Sequence, residues 1–167
     1  ARLAYEAFGE PDGLEKLLEL EAEVRAARVP RETREALQKL GRRLAKNVTK
    51  IGLPFAARFD DYVKAAEQSC SHPVCYGALA AALALPERTA LQHYLYAQLS
   101  ALTNTCVKLI PLSQTDGARL VTSFRTCYSA YIDRALAAEA EDLCLSSPGL
   151  DIRAMQHEVL YSRLYMS

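Results

Sequence analysis

The stretch Leu91-Gln92-His93-Tyr94-Leu95-Tyr96-Ala97-Gln98-Leu99-Ser100-Ala101-Leu102-Thr103-Asn104-Thr105-Cys106-Val107-Lys108-Leu109 decides the fold class. Leu91, Leu95, Leu99, Leu102, Cys106 and Leu109 recur at intervals of three and four residues, the period of a helix and not the alternation of a strand. This is the longest and most apolar such stripe in the chain, and Pro86 and Pro111 mark its two ends.

The same rhythm continues on both sides. Leu14, Leu17, Leu18 and Val24 open an earlier helix in which Glu21 is the one polar intrusion. Leu37, Leu40, Leu44, Val48 and Ile51 form the next stripe, followed by Phe55, Phe59, Tyr62, Val63 and Ala66. Val121, Phe124, Tyr128, Tyr131, Ile132 and Leu136 predict another helix beyond the central one. A last short helix is expected to begin after Asp151 as its N-cap and to carry Ile152, Met155 and Val159. Pro11, Pro30, Pro54, Pro73, Pro86 and Pro111 each fall at or just before a helical start, where a missing N–H costs little.

No run alternates with period two for long enough to make a strand, and the longest linker is Asp142 to Gly149. The expected fold is therefore all-α: a single-domain bundle, 1–167, of six or more packed helices. A chain of 167 residues can bury roughly 70% of its extended surface on folding.

Half the residues are apolar, which excludes a disordered chain. Twenty basic and twenty acidic side chains cancel, which argues against a nucleic-acid or anionic-membrane binder. Two uncharged stretches raise the question of a membrane span. The first, Gln68 to Pro86, is broken by His72, Pro73 and Gly77, and the second, Thr89 to Val107, by Gln92, His93, Gln98 and Asn104. Ala1 to Glu10 carries charges and no apolar block, so no signal peptide is expected. The five cysteines, Cys70, Cys75, Cys106, Cys127 and Cys144, form no compact framework and fit reduced thiols. The chain reads as cytoplasmic.

Catalytic signatures are missing: there is no phosphate-cradling loop, no dinucleotide turn and no nucleophile elbow. His157-Glu158 begins like a zinc-protease pair, but Tyr161 stands where the second histidine belongs, so the pair reads as a helix-surface dyad. Cys70-Ser71-His72-Pro73-Val74-Cys75 offers two thiolates and an imidazole within six residues, a candidate metal site built from Cys70, His72 and Cys75. A closed site needs a fourth ligand. The plainer reading, which is preferred, has His72 opening a helix ahead of Pro73 and Cys75 facing the core.

Arg25, Arg28, Arg31, Arg34, Lys39, Arg42 and Arg43, with glutamates among the first of them, make a solvated face or, less plainly, a partner surface. Chain ends are normally polar, yet this one reads Tyr161-Ser162-Arg163-Leu164-Tyr165-Met166-Ser167. Tyrosine and arginine are enriched at binding hot spots, so 161–167 is a docking tail or a segment folded back on its own domain.

Three stretches together resemble the UreF family of urease accessory proteins. The first is Arg34-Glu35-Ala36-Leu37-Gln38-Lys39-Leu40-Gly41-Arg42-Arg43-Leu44. The second runs from His72-Pro73-Val74 and Gly77 through Tyr94-Leu95-Tyr96-Ala97 to Leu109-Ile110-Pro111-Leu112-Ser113-Gln114-Thr115-Asp116-Gly117. The third is Asp151-Ile152-Arg153-Ala154-Met155-Gln156-His157-Glu158 with Tyr161-Ser162-Arg163-Leu164. The segment with which the family usually opens, a Pro-x-Gly and a Ser/His-rich stretch, has no counterpart, so the chain is expected to be an N-terminally shortened form.

The resemblance implies an all-helical, non-enzymatic chaperone with no intrinsic cofactor. It implies a UreD/UreH-type accessory protein as partner, recruitment of the UreG GTPase, and delivery of nickel to apo-urease by the assembled complex, with a homodimer as the working state. By motif position, partner binding falls on Tyr161, Arg163, Leu164 and Tyr165 of the tail, and on His72, Gln114 and Asp116. A nickel-carrying protein using the Cys/His segment is the alternative.

Overall fold

A computed structural model describes residues 1–53, 57–142 and 147–161. Among them are nine α-helices and no strand. They are α1 (Arg2–Phe8), α2 (Gly13–Ala27), α3 (Arg31–Ile51), α4 (Ala57–Ala66), α5 (His72–Ala82), α6 (Glu87–Leu109), α7 (Gln114–Ser123), α8 (Tyr128–Ala137) and α9 (Pro148–Glu158). The all-α expectation is met. No helix among the described residues is long and apolar enough to cross a membrane.

Proline and glycine set many of the helix ends. Pro30 and Pro86 are the N-caps of α3 and α6, Pro73 lies in the first turn of α5, and Pro148 opens α9. Gly52 stops α3 in the left-handed conformation, φ 71°, and its N–H returns to the carbonyls of Val48 and Thr49. Two boundaries differ from the periodic reading. α9 starts three residues before Asp151, because Ser147-Pro148 supplies the start and Asp151 lies inside the first turn. The stripe from Val121 to Leu136 is also not one helix: a 3-10 turn at Phe124–Thr126 divides α7 from α8, since side-chain spacing alone does not register a local tightening of the backbone. Pro54 and Phe55 lie outside the described residues.

The described residues fall into two compact units, Leu3–Ala84 with the segment from Glu139 onward, and Leu85–Ala138. The first unit holds a continuous apolar core. Ala4, Ala7 and Phe8 of α1, Leu17 of α2, Ala45 and Val48 of α3, and Phe59, Tyr62 and Ala66 of α4 meet Val74, Cys75, Ala78 and Leu79 of α5. At about 25 cal/mol per Å² of apolar surface, side chains of this size contribute about 1.5–3 kcal/mol each when fully buried.

α3 and α5 approach closely because Gly41 has no side chain. A Cβ there would lie 2.4 Å from the Cys70 carbonyl oxygen and 2.5 Å from the Ser71 carbonyl carbon, both rigid backbone atoms. In the second unit Gly117 lets α7 settle on Val107 and Thr103 of α6. Arg88 of α6 pairs there with Asp133 of α8 at 2.8 Å and donates to the Ser129 hydroxyl at 3.1 Å.

Candidate functional site

α9 carries the chain toward its tail and is locked to the start of α3 by side chains. Glu158 Oε1 accepts the Arg31 backbone N–H at 2.9 Å and the Glu32 N–H at 3.4 Å, while Oε2 lies 3.6 Å from Arg31 Nε. These N–H groups have no acceptor within their own helix, and a carboxylate there also meets the positive end of the helix dipole. Beside it, His157 Nδ1 is within hydrogen-bond distance of Glu32 Oε2, at 2.7 Å. The dyad is thus not a free surface pair: both members bridge from α9 to α3.

Ile152 and Met155, which share a face of α9, are exposed, as are Leu150 and, just beyond the helix end, Val159 and Leu160, while Tyr161 projects fully into solvent. Exposed large apolar side chains gathered in one segment fit an interaction site. Arg163, Leu164 and Tyr165, the rest of the tail candidates, lie outside the described residues.

The remaining partner-binding candidates are divided between the units. His72 opens α5 in the first unit, half-buried, its ring 6.4 Å from that of Tyr76; burial lowers its pKa from the ordinary 6.5. Gln114 and Asp116 belong to the first turn of α7 in the second unit. Asp116 forms a capping box with Ser113: the Ser113 hydroxyl accepts the Asp116 N–H at 3.1 Å, and the Ser113 N–H donates to the Asp116 carboxylate at 3.3 Å. Hydrogen bonds from Ser113 hold this carboxyl below its ordinary pKa of 3.8. Gln114 lines a cleft of about 520 Å³ between α6 and α7, together with Tyr96, Ser100, Asn104, Arg125 and Tyr128. Around it α6 leaves Tyr96, Leu102 and Leu109 exposed.

The metal candidate is not assembled as a three-ligand site. Among the described residues no group of three or more His, Cys, Asp and Glu side chains is placed to hold a metal ion. Cys70 and Cys75 are both buried in the core, whereas His72, the first residue of α5, is half-buried with its ring beside that of Tyr76. His72 opens α5 one residue ahead of Pro73, and Cys75 is fully buried.

What sits beside the thiols is a buried carboxylate. Glu21, only 2% exposed, accepts the Tyr62 hydroxyl at 2.5 Å and the Ser71 backbone N–H at 2.9 and 3.0 Å. Burial raises the Glu21 pKa above the ordinary 4.5, and the hydrogen bonds from Tyr62 and Ser71 only partly offset this. Burial likewise raises Tyr62. The Ser71 hydroxyl is buried without a hydrogen-bond partner among the described residues. The polar intrusion at Glu21 was the only sequence signal of this cluster, because its partners are 41 and 50 residues away.

Comparison with known proteins agrees with the order of the motifs. Residues 1–125 match the sequence model of the UreF family. The urease accessory protein UreF of Actinobacillus pleuropneumoniae serotype 5b (strain L20) is 34% identical over 168 aligned positions, covering 99% of this chain and 73% of that protein. The UreF proteins of Haemophilus influenzae (strain PittGG) and Bacillus sp. (strain TB-90) are 38% and 32% identical, each over 99% of this chain and over 70% and 73% of their own lengths. With the shared motifs and the helical fold, the chain belongs to the UreF family of urease accessory proteins.

Proposed function

We propose that this urease accessory protein is a non-enzymatic scaffold for nickel insertion. In this reading it binds a UreD/UreH-type accessory protein, and the pair recruits the UreG GTPase, which brings nickel to apo-urease in the cytoplasm. The nickel is cargo of the complex and needs no resident site on this chain. The observation that carries the reading is α9 and the residues after it: a helix held at one end by polar contacts to α3, with Ile152 and Met155 exposed on it and Val159, Leu160 and Tyr161 exposed just beyond its end.

Such a segment suits docking to a protein partner, because desolvating Leu, Ile, Met and Tyr side chains supplies affinity without needing a charged surface. His72, Gln114 and Asp116 are assigned to placing the partners. The exposed apolar side chains of α6 support self-association of the chain as a homodimer.

A capture experiment tests the assignment. Immobilised full-length chain retains the UreD-type protein, and with it the GTPase; deletion of Tyr161 to Ser167 abolishes one or both. Undiminished capture by the deletion variant, with its helical content intact, overturns the role given to the tail.

A further inference from the structure

We propose that the cleft between α6 and α7 is a binding site for a small hydroxylated monocarboxylate, with the Arg125 guanidinium as its counter-ion. All of its lining belongs to the second unit, and its volume of about 520 Å³ lies inside the range of small-molecule sites, roughly 300–1,000 Å³. Tyr96, Ser100, Thr103, Asn104 and Val107 line it from α6, at the three-and-four spacing that puts them on one helix face. One glycine brings α7 against that face. A Cβ at Gly117 would stand 2.7 Å from Val107 Cγ2, so no larger residue fits this approach without moving the valine.

Arg125 is the one charged residue of the lining, and no carboxylate stands beside it there. It is exposed and has no ion pair or hydrogen bond among the described residues. Its position comes from the 3-10 turn Phe124–Thr126: the break between α7 and α8 brings Arg125, and Tyr128 three residues on, to the cleft wall. Asn104 and Gln114 add two exposed amides, each able to donate and to accept. Ser100 Oγ and the Tyr128 hydroxyl, from α6 and α8, are buried with no hydrogen-bond partner among the described residues. Buried hydroxyls are normally partnered, so two orphans lining one cleft point to a group that binds there. First contact rests on the exposed Arg125, Asn104 and Gln114; the two hydroxyls are reached through the ligand's polar end or a bridging water.

The charge balance sets the ligand class. One guanidinium without an acid partner matches one negative charge, and its planar fork of N–H donors fits the paired oxygens of a carboxylate. A phosphate monoester, close to doubly charged at neutral pH, would bring excess charge into a cleft that offers one cation. Amides and hydroxyls bind neutral hydrogen-bonding groups, so the rest of the ligand carries hydroxyls and no second charge. Val107, Val121 and the Tyr96 ring receive a short apolar or aromatic body between its two ends. Of these residues only Gln114 has a part in the scaffold reading, so the site stands or falls without it.

Titration of the isotope-labelled intact chain with para-hydroxybenzoate and with glycolate, followed by its amide chemical shifts, tests this. At least one of the two is expected to move the signals of Ser100 to Val107 and of Gln114 to Thr122 saturably, while those of α2 and α5 stay in place. Para-hydroxybenzamide and glycolamide keep the shapes without the charge and are expected to move neither set. Arg125→Gln should weaken the binding by about tenfold, as for the loss of one charge-assisted contact, with the spectrum of the free protein otherwise that of wild type. The proposal fails if neither carboxylate perturbs the cleft, if the neutral amides bind as well as the acids, or if Arg125→Gln binds unchanged. It fails equally if inorganic phosphate binds more tightly than both carboxylates, or if the shifts centre on the arginines of α2 and α3.

Discussion

Glu158 caps a helix that begins 127 residues earlier: its carboxylate accepts the Arg31 backbone N–H at 2.9 Å. The contact ties the last described helix to the start of α3, and so fixes where the tail leaves the first unit. Removal of a carboxylate cap costs about 0.5–2 kcal/mol. Glu158→Ala is therefore expected to lower stability by about 1 kcal/mol and to release α9. Amide hydrogen exchange reads this directly: protection across Pro148–Glu158 falls, while α4 and α5 keep theirs. If α9 stays protected in the variant, the cap is not what holds it. Glu158→Gln keeps an acceptor and should lose less.

The buried Glu21 sets a pH dependence of known sign. Its pKa is raised in the folded protein, so above the ordinary 4.5 the native state retains a proton that the unfolded chain has lost. Its contribution is fully present below 4.5 and declines as pH rises through the folded value. His72, lowered by burial, runs the other way, its contribution present above 6.5 and lost as pH falls through its folded value. Glu21→Gln should remove the downward slope above pH 4.5 that wild type shows in denaturant midpoints. An unchanged profile would show that the carboxyl titrates alike in both states.

Tyr62→Phe probes the same cluster without altering its charge. The ring keeps its place in the core, and Glu21 keeps the Ser71 N–H but loses one donor. Losing a hydrogen bond to a buried carboxyl costs about 1–3 kcal/mol, which urea denaturation resolves. A midpoint equal to wild type would place the proton elsewhere.

Gly41→Ala should be among the most damaging single-methyl additions. Its new Cβ meets backbone of Cys70, Ser71 and His72 at 2.4–2.8 Å, where no side chain can swing aside. Overpacking of this kind costs about 1–3 kcal/mol or more. Gly149→Ala is the control, since nothing lies within 4 Å of its Cβ and alanine favours the helix. Thermal melts should separate the two variants by several degrees. Equal melting temperatures would remove the close-approach explanation.

Asp116 has a local duty that any partner role must be separated from. If it serves the capping box, Ser113→Ala and Asp116→Ala lower stability alike, each by about 1 kcal/mol. Partner capture then falls equally in both. A loss of capture confined to Asp116→Ala, at equal stability, would mark the carboxylate as a contact in its own right.

The helical fold and its rough segmentation were legible in the chain because the three-and-four spacing is a local property, and prolines and glycines punctuate it locally. The family was legible from motifs in order, and those motifs now have separate physical reasons: Gly41 and Gly117 permit close helix approach, and Ser113 with Asp116 closes a helix end. What the spacing did not register was the break at Phe124–Thr126, where the backbone tightens without disturbing the apolar stripe. Only tertiary structure decided which polar residues work together. Glu21 meets Tyr62 and Ser71, Glu158 meets Arg31, and the His72 ring lies beside Tyr76. A sequence states which charges and thiols a chain carries; it takes the packing of α2, α3, α4 and α5 to exclude water from some of them and leave others at the surface, and that exclusion is what sets their chemistry.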